Sequence, residues 1–178
     1  RKISNDVVET WSKILHEVPN SRLILKSSAA CDNGSLLNKF KKFKVDHKIE
    51  ILRKLDFFKK EDHLKVYNRI DLCLDTFPYN GVTTTFEALW MNVPVLVMKG
   101  YNFNSRCGES IIKNLGTNDL ISQNKEDYIV NAIRLSNDKN ALINLRKDIF
   151  EKLMQSSLFN TREFSKNFSE ILLRIHNS

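Results

Sequence analysis

A loop and helix start near the middle of the chain carry residue types suited to binding a phosphate. Gly81 is followed by Thr83, Thr84 and Thr85, and Glu87 comes two residues later. Unpaired N–H groups at a helix start attract anions, and a glycine lets backbone approach a ligand closely. Threonine hydroxyls add donors, and a carboxylate one turn on can accept from a ribose diol. The spacing predicts a nucleotide-phosphate site; the alternative is a threonine-rich start to an ordinary helix.

Two apolar runs flank this segment and predict the strands that position it. Residues 72–74 lie between two aspartates and are typical of a strand buried on both faces. TFPYNG is a turn-forming loop, residues 84–90 are predicted to be helical, and residues 94–98 (PVLVM) form a second strand. A parallel strand pair with a crossover helix follows. Ligands bind outside the carboxyl ends of such strands, which is where the loop lies.

Other residues in and near this unit have simpler interpretations. Asp71 and Asp75 could form a glycosidase carboxylate pair, but we predict that they are strand-end residues and that Asp75 shapes the loop by accepting backbone N–H bonds. Cys107 has no accompanying His-Asp pattern, which disfavours a nucleophile. Trp11 and Trp90 are predicted to lie in the core.

The rest of the chain alternates strands and helices. An apolar i, i+3, i+4, i+7 rhythm predicts a first helix from Ser4 or Asn5 to Val18. Further strands are predicted at 22–26 and 48–52, and further helices at 36–45, 61–68, 105–115, 125–135, 139–154 and 161–176. The alternation indicates an α/β fold in one domain, residues 1–178, with a Rossmann-like parallel sheet and helices on both faces.

Bulk properties narrow the class of protein. The 178 residues can bury a core, and no apolar run approaches the roughly 20 residues that span a bilayer. Three widely spaced cysteines support neither a zinc ribbon nor a disulfide framework and favour a reducing, cytoplasmic location. The net charge is +7, but the lysines are dispersed, which disfavours nucleic-acid binding. The start at Arg1, without Met, suggests a piece of a longer protein.

The stretch DTFPYNGVTTTFEALWMNVPVLVMKG resembles the C-terminal lobe of the O-linked N-acetylglucosamine transferase family, which includes plant SPINDLY-type enzymes and bacterial TPR-linked relatives. The similarity extends over nearly the whole chain, from KIS to SSLFNTREF. The sequence departs from the family pattern at Val82, where animal enzymes carry His, at Val66, where they carry Arg, and at Asn92, where Gly is usual. A Pro expected near Asn5 is also missing.

The resemblance implies roles for particular residues. Lys2 matches the family lysine that contacts the donor's diphosphate and is the expected catalytic residue. Lys60 and His63 match a Lys and a His that line the nucleotide pocket. Arg106, with Ser105 before it, matches a segment near the pocket; the alternative is an N-cap serine and a structural arginine. The remaining expected donor-binding residues form the central loop and helix: Asn80, Gly81, Val82, Thr83, Thr84 and Glu87.

The resemblance also implies an architecture and a reaction. The fold would be the C-terminal, nucleotide-sugar-binding lobe of a GT-B glycosyltransferase, which transfers a sugar with inversion to Ser or Thr of proteins, without a metal or other cofactor. The protein acceptor and the general base would lie mostly on an N-terminal lobe and TPR helices. We therefore expect this piece alone to bind nucleotide weakly and to transfer nothing.

The identity of the donor stays open at this point. UDP-N-acetylglucosamine is the default for the family, and the SPINDLY branch uses GDP-fucose; the FPYNGVTTT run resembles that branch too. Two other classes compete: a doubly wound signalling domain, which would need an acidic strand-end cluster with a distal Lys, and a non-catalytic interaction domain that keeps the fold.

Overall fold

The computed structural model describes residues 2–27, 33–53 and 60–177; helices and strands alternate up to residue 122, and three helices follow. The strands are β1 (Leu23–Ser27), β2 (Ile49–Arg53), β3 (Cys73–Leu74), β4 (Val95–Met98) and β5 (Ile121–Ser122). The helices are α1 (Asn5–Glu17), α2 (Asn33–Lys41), α3 (Lys60–Lys65), α4 (Thr83–Trp90), α5 (Phe103–Leu115), α6 (Lys125–Asn137), α7 (Lys139–Gln155) and α8 (Thr161–His176).

Every strand pair in the described chain is parallel. β1 pairs with β2, with Leu25 opposite Ile51, and β4 lies between β3 and β5, with Cys73 opposite Val95 and Val97 opposite Ile121. Parallel strands place all their carboxyl ends on one edge of a sheet, so the loop after β3 opens at the carboxyl edge of the β3–β4–β5 sheet, as expected. Backbone hydrogen bonds thus divide the predicted sheet into a pair and a trio.

The first helix forms as its sequence predicts. The Ser4 side chain accepts from the Val7 N–H at 3.2 Å and caps α1. The apolar stripe of α1 is buried, with Trp11 only 3% exposed, and the helix packs on α6 and α2. The core beneath it centres on β4, whose Val95, Leu96 and Val97 are all buried.

The sequence departure at Asn92 has a structural explanation. Asn92 follows the end of α4 with φ 57°, in the left-handed region. Glycine adopts this conformation most easily, and asparagine is among the few other residues that tolerate it. Asn92 therefore makes this turn at a position where the resemblance led us to expect Gly.

Several sequence-based expectations need correction. Trp90 was predicted to be core but is 46% exposed, because it lies on the outer side of α4 and packs against Phe150 and Phe159. Helix α5 begins at Phe103 and not near Ser105, because Asn102 is the N-cap. Strand β5 was not predicted. Strand β3 has two residues, both only half-buried, instead of a three-residue run buried on both faces.

Candidate functional site

The loop after β3 is built around the buried carboxylate of Asp75. Asp75 Oδ1 accepts the Thr76 N–H at 2.9 Å and the Gly81 N–H at 2.8 Å, which closes the loop on itself. The Tyr128 hydroxyl, reaching from α6, donates to the Asp75 carbonyl at 2.9 Å. The prediction that Asp75 shapes this loop is confirmed. The Asp75 side chain therefore holds the backbone of the loop that leads into α4.

Asp75 is also an unusual acid. Burial raises its pKa from the ordinary 3.8 to about 7, although the two backbone N–H donors and the charge of Lys2 act in the opposite direction. Its second oxygen, Oδ2, is buried and has no hydrogen-bond partner among the described residues. Desolvation of a half-paired carboxylate explains why the neutral form is favoured.

Asn80 and Lys2 complete the floor of the loop. Asn80 is 1% exposed; its side-chain amide donates to the Thr76 carbonyl at 3.0 Å and accepts from the Gly108 N–H at 3.3 Å. The Lys2 ammonium donates to the Asn80 carbonyl at 2.9 Å and lies 4.3 Å from the centre of the Tyr79 ring. Lys2 is thus held against the loop, although it stands 78 residues away in sequence.

The N-terminus of α4 is open. Val82 occupies the N-cap position and makes no side-chain cap, and the first helical backbone bond runs from the Phe86 N–H to the Val82 carbonyl at 3.0 Å. The N–H groups of Thr83, Thr84 and Thr85 consequently have no partner in the part of the chain that the structure describes. Thr83 and Thr84 are exposed. Three donors at the positive end of a helix form an arrangement that can bind an anion.

One turn further along α4, Glu87 takes part in a hydrogen-bonded network. Its Oε2 lies 2.8 Å from His63 Nε2 and 3.4 Å from the Tyr67 hydroxyl, and the Lys26 ammonium contacts the other imidazole nitrogen, Nδ1. The Glu87 and His63 side chains are about one-fifth exposed, at 22% and 21%. The network joins the end of β1 to α3 and α4 at the carboxyl edge of the strands.

The start of α5, which packs beside the loop, is satisfied by its own residues. The Asn102 side chain accepts the Ser105 N–H at 3.1 Å, and the Ser105 hydroxyl accepts the Tyr101 and Asn102 N–H groups, each at 2.9 Å. This is a capping box. Ser105 is 1% exposed, so its hydroxyl supports the helix instead of facing a pocket.

The guanidinium of Arg106 pairs with Glu109 at 2.8 Å on its own helix. Lys113 pairs with the same carboxylate, also at 2.8 Å, and Glu109 itself is only 3% exposed. The hydrogen bond from Arg106 lowers the pKa of Glu109, although burial opposes it. The structure thus shows a structural partner for Arg106, while its donor-binding role stays a prediction.

The structure brings together most of the residues singled out from the sequence. Lys2, Asn80, Gly81, Val82, Thr83 and Thr84 surround one loop, and His63 and Glu87 adjoin it through α4. Lys60 begins α3, but its side chain lies outside the described residues. Sequence reasoning missed Lys26 and Tyr67. The sequence could have indicated both. Tyr67 stands four residues after His63, a spacing that brings side chains together on a helix, and Lys26 precedes the carboxyl end of a strand, where ligands bind.

The part of the chain that the structure describes has neither a metal-type cluster nor a membrane-spanning helix. The described residues contain no cluster of three or more His, Cys, Asp or Glu side chains that could hold a metal ion. None of their helices is long and apolar enough to cross a membrane.

The fold is a parallel α/β arrangement in which an uncapped helix start lies at the carboxyl edge of the strands. The family model described as Glycosyl transferase family 41 matches residues 1–168. The chain therefore belongs to glycosyl transferase family 41.

Individual relatives agree with this assignment. The chain is 35% identical over 174 residues to a probable UDP-N-acetylglucosamine–peptide N-acetylglucosaminyltransferase SPINDLY of Solanum lycopersicum, and 36% identical over 171 residues to that of Petunia hybrida. These matches cover 96% and 93% of this chain and 18% of each relative. A mutant O-GlcNAc transferase of Thermobaculum terrenum matches with a TM-score of 0.89 and 32% identity, over 97% of this chain and 34% of that one.

The resemblance to this transferase family and the Rossmann-like, GT-B-lobe fold are thereby confirmed. The chain spans only about a fifth of the length of the plant relatives.

Proposed function

We propose that this chain is the donor-binding lobe of a protein O-glycosyltransferase, which moves a sugar with inversion from a nucleoside diphosphate to a Ser or Thr hydroxyl. The observation that carries the proposal is the open start of α4 beside the Lys2 ammonium. Lys2 reaches the Asn80 carbonyl, one residue before Gly81, and the N–H groups that have no partner among the described residues begin at Thr83. A diphosphate there would receive a full positive charge and several backbone donors.

The reaction needs the leaving diphosphate stabilised. The bond from the sugar's anomeric carbon to the diphosphate oxygen breaks, and a bond to the acceptor oxygen forms on the opposite face. Negative charge grows on the diphosphate, where Lys2 and the α4 donors act as a preorganised electrostatic site. We propose that this stabilisation requires no metal or other cofactor. The base that takes the acceptor's proton and the groove for the acceptor protein belong, in this proposal, to parts of the longer relatives that this chain does not span.

The nucleoside lies, in this proposal, on the α3 side of the loop. Glu87 accepts from the ribose diol, and Lys60 and His63 line the pocket. Arg106, half-exposed at 51%, is a further candidate for donor contact, although its pairing with Glu109 makes it the weakest of the set. Asn80 would contribute through its backbone, since its side chain is fully engaged.

UDP-N-acetylglucosamine is the proposed donor, because the relatives' names specify that sugar nucleotide. GDP-fucose is the second candidate. Val82 is 46% exposed at the helix start and offers no polar group to a phosphate, and Val66 offers none to a base. Without these two polar contacts, the chain lacks features that would favour the uridine donor of the animal enzymes.

Calorimetric titration with UDP and with GDP tests the proposal. We expect binding of one of them, weakened about tenfold or more in Lys2→Met and in Thr84→Val, since each removes one donor to a charged group. Thr161→Val is the matched control for Thr84, because Thr161 also lies in the first turn of a helix, and Lys13→Met is the control for Lys2. Preference for GDP would select the fucose donor.

Sugar transfer gives a separate test. This chain by itself should leave acceptor peptides unmodified, so transfer by it would contradict our placement of the base and acceptor groove elsewhere. Binding of neither nucleotide by the folded chain would contradict the donor site and favour an interaction domain that keeps the fold.

A further inference from the structure

The network around Glu87 contains two residues for which the reaction so far provides no role. Lys26, near the end of β1, contacts His63 Nδ1, and Tyr67 lies 3.4 Å from Glu87 Oε2 and from the Thr84 carbonyl. Tyr67 also packs edge-on against the His63 ring, with centroids 5.9 Å apart. Lys26 therefore contacts His63, and Tyr67 contacts both His63 and Glu87.

The chemistry of the donors fixes how this network is protonated. A lysine ammonium has only hydrogens to donate, so His63 Nδ1 must accept from Lys26. The proton of the neutral imidazole then resides on Nε2, which donates to Glu87 Oε2. A carboxylate can only accept, so the direction is consistent from end to end: Lys26 to His63 to Glu87.

The arrangement leaves one carboxylate oxygen for a ligand. Oε2 receives His63 at 2.8 Å and Tyr67 at 3.4 Å. Burial is the main cause of the raised pKa of Tyr67, which keeps its phenol protonated as a donor. Oε1 of Glu87 has no hydrogen-bond partner among the described residues, and the side chain is 22% exposed. A carboxylate held at one oxygen and open at the other suits a vicinal diol.

We propose that Lys26 and Tyr67 are positioning residues for the donor's ribose. Lys26 acts through His63 and Tyr67 acts directly, and together they hold Glu87 Oε2 so that Oε1 accepts from the ribose diol. The proposal rests on the proposed function, in which Glu87 contacts the ribose. Lys26 is the more important of the two, because it sets the His63 tautomer, whereas the Tyr67 contact is long for a hydrogen bond. Neither residue touches the reacting atoms.

A ligand-free measurement tests the network itself. Nitrogen-15 NMR of the histidine ring, assigned by difference with His63→Gln, should show a protonated Nε2 and an unprotonated Nδ1 at pH 8. In Lys26→Met the two tautomers should mix, and Lys26→Arg should restore the wild-type pattern, since arginine also only donates. A protonated Nδ1 in the wild-type chain would overturn the proposal.

A binding measurement tests what the network does. We expect the wild-type chain to bind UDP or GDP about tenfold more tightly than the matching 2′-deoxynucleotide, the size of one lost hydrogen bond to a charged group. Glu87→Gln should lower this ribose preference, and Lys26→Met should do so nearly as much. Tyr67→Phe should lower it less, and Lys65→Met, which removes an exposed lysine from α3, the helix that carries His63, should leave it unchanged.

The outcomes separate this proposal from the donor site beneath it. If the wild-type chain prefers the ribonucleotide and Lys26→Met weakens both nucleotides equally, Lys26 is structural and the positioning role is overturned while the donor site stands. If the folded wild-type chain binds no nucleotide, the donor site fails and this inference fails with it.

Discussion

Two helices begin next to the loop after β3, and their N-termini are built in opposite ways. Helix α5 begins in a complete capping box, in which Asn102 and Ser105 satisfy each other's backbone groups. Helix α4 begins after Val82 with no side-chain cap, and its first-turn N–H groups are left open in the described chain. Because capping is worth about 1 kcal/mol, an uncapped helix on a binding edge gives up stability that a ligand can restore.

A buried carboxylate lies near each of these helix starts. The carboxylate near α5 is fully paired and the one near α4 is not, as with the N–H groups of the two helices. Glu109 on α5 has two cationic partners and a lowered pKa. Asp75 beneath α4 has two backbone donors, one oxygen without a partner among the described residues, and a raised pKa of about 7. At α5, the charge of Glu109 and the first-turn N–H groups are both satisfied by residues of the same helix or its cap. At α4, the described residues provide no partner for Asp75 Oδ2 or for the N–H groups of the first helical turn.

The largest effect expected from this contrast is an opposite response to pH. The folded-state pKa of Asp75 is above its ordinary 3.8, so folding favours the protonated form. Its contribution to stability is full below about pH 4 and is lost as the pH rises through 7, a total loss of at most about 4 kcal/mol. Asp75→Asn, which keeps an oxygen acceptor, should therefore stabilise the chain at pH 8 and remove this slope.

Urea denaturation at pH 3, pH 5 and pH 8 measures both responses, with Glu109→Gln as the counterpart of Asp75→Asn. The pKa of Glu109 is lowered, so its contribution is present above its ordinary value of 4.5 and is lost as the pH falls below that. Glu109→Gln should destabilise the chain by about 1 kcal/mol at pH 8, since both cations are half-exposed. An Asp75→Asn variant that is less stable than wild type at pH 8 would refute our account of the buried acid.

The next effect comes from one substitution made at both helix starts. A Cβ on Gly100 would lie 2.2 Å from Ser105 Cβ and 2.4 Å from the Ser105 carbonyl, so Gly100→Ala must move backbone and should cost about 3 kcal/mol of unfolding free energy. A Cβ on Gly81 would meet the Thr84 and Thr85 hydroxyls at 2.6 and 2.9 Å. Gly81→Ala should displace those hydroxyls, costing less stability but about tenfold in nucleoside diphosphate affinity.

Thermal unfolding and calorimetry on the same two variants check this division. Equal stability losses at both sites, with nucleotide affinity unaffected by Gly81→Ala, would contradict the view that the start of α4 serves a ligand and that of α5 serves the fold.

The smallest effects come from editing the caps themselves. Asn102→Ala should lower the unfolding free energy by about 1 kcal/mol through loss of the α5 cap, with nucleotide affinity unchanged. Val82→Asp should leave stability within about 1 kcal/mol of wild type and weaken diphosphate binding, because a carboxylate at the start of α4 neutralises its partial charge. Val82→Asn is the control, because asparagine has the shape of aspartate without its charge. A comparable loss of binding in Val82→Asp and Val82→Asn would contradict the electrostatic explanation.

Much of the fold followed from patterns in the sequence, and the misses have physical causes. The stripe of α1 and the strand–loop–helix unit around Asp75 were predictable because periodicity and turn residues are local signals. Strand β5 was missed because two residues carry no periodicity. The start of α5 was misplaced because both Asn102 and Ser105 suit a cap, and only their reciprocal bonds decide between them. Trp90 was misjudged because composition does not reveal which side of a short helix faces the core.

In the candidate site, too, the residues within one stretch of chain were predictable and the contacts between distant residues were not. Thr83, Thr84 and Glu87 were found because a helix start concentrates its chemistry in one stretch of chain. The Lys26–His63 contact joins residues 37 positions apart, and the Lys2–Asn80 bond spans 78. Lys2 was singled out only by resemblance, and the sequence alone offers no rule for pairing a strand end with a distant helix.

A titration of the nitrogen-15-labelled chain with UDP and with GDP, followed residue by residue at the backbone amides, tests the central claim most directly. Our account predicts that one nucleotide shifts the Thr83, Thr84 and Thr85 amides, which are open, and leaves the amides of the capping box from Asn102 to Ser105 largely in place. Saturable binding that shifts the capping-box amides and spares the three threonines would contradict it.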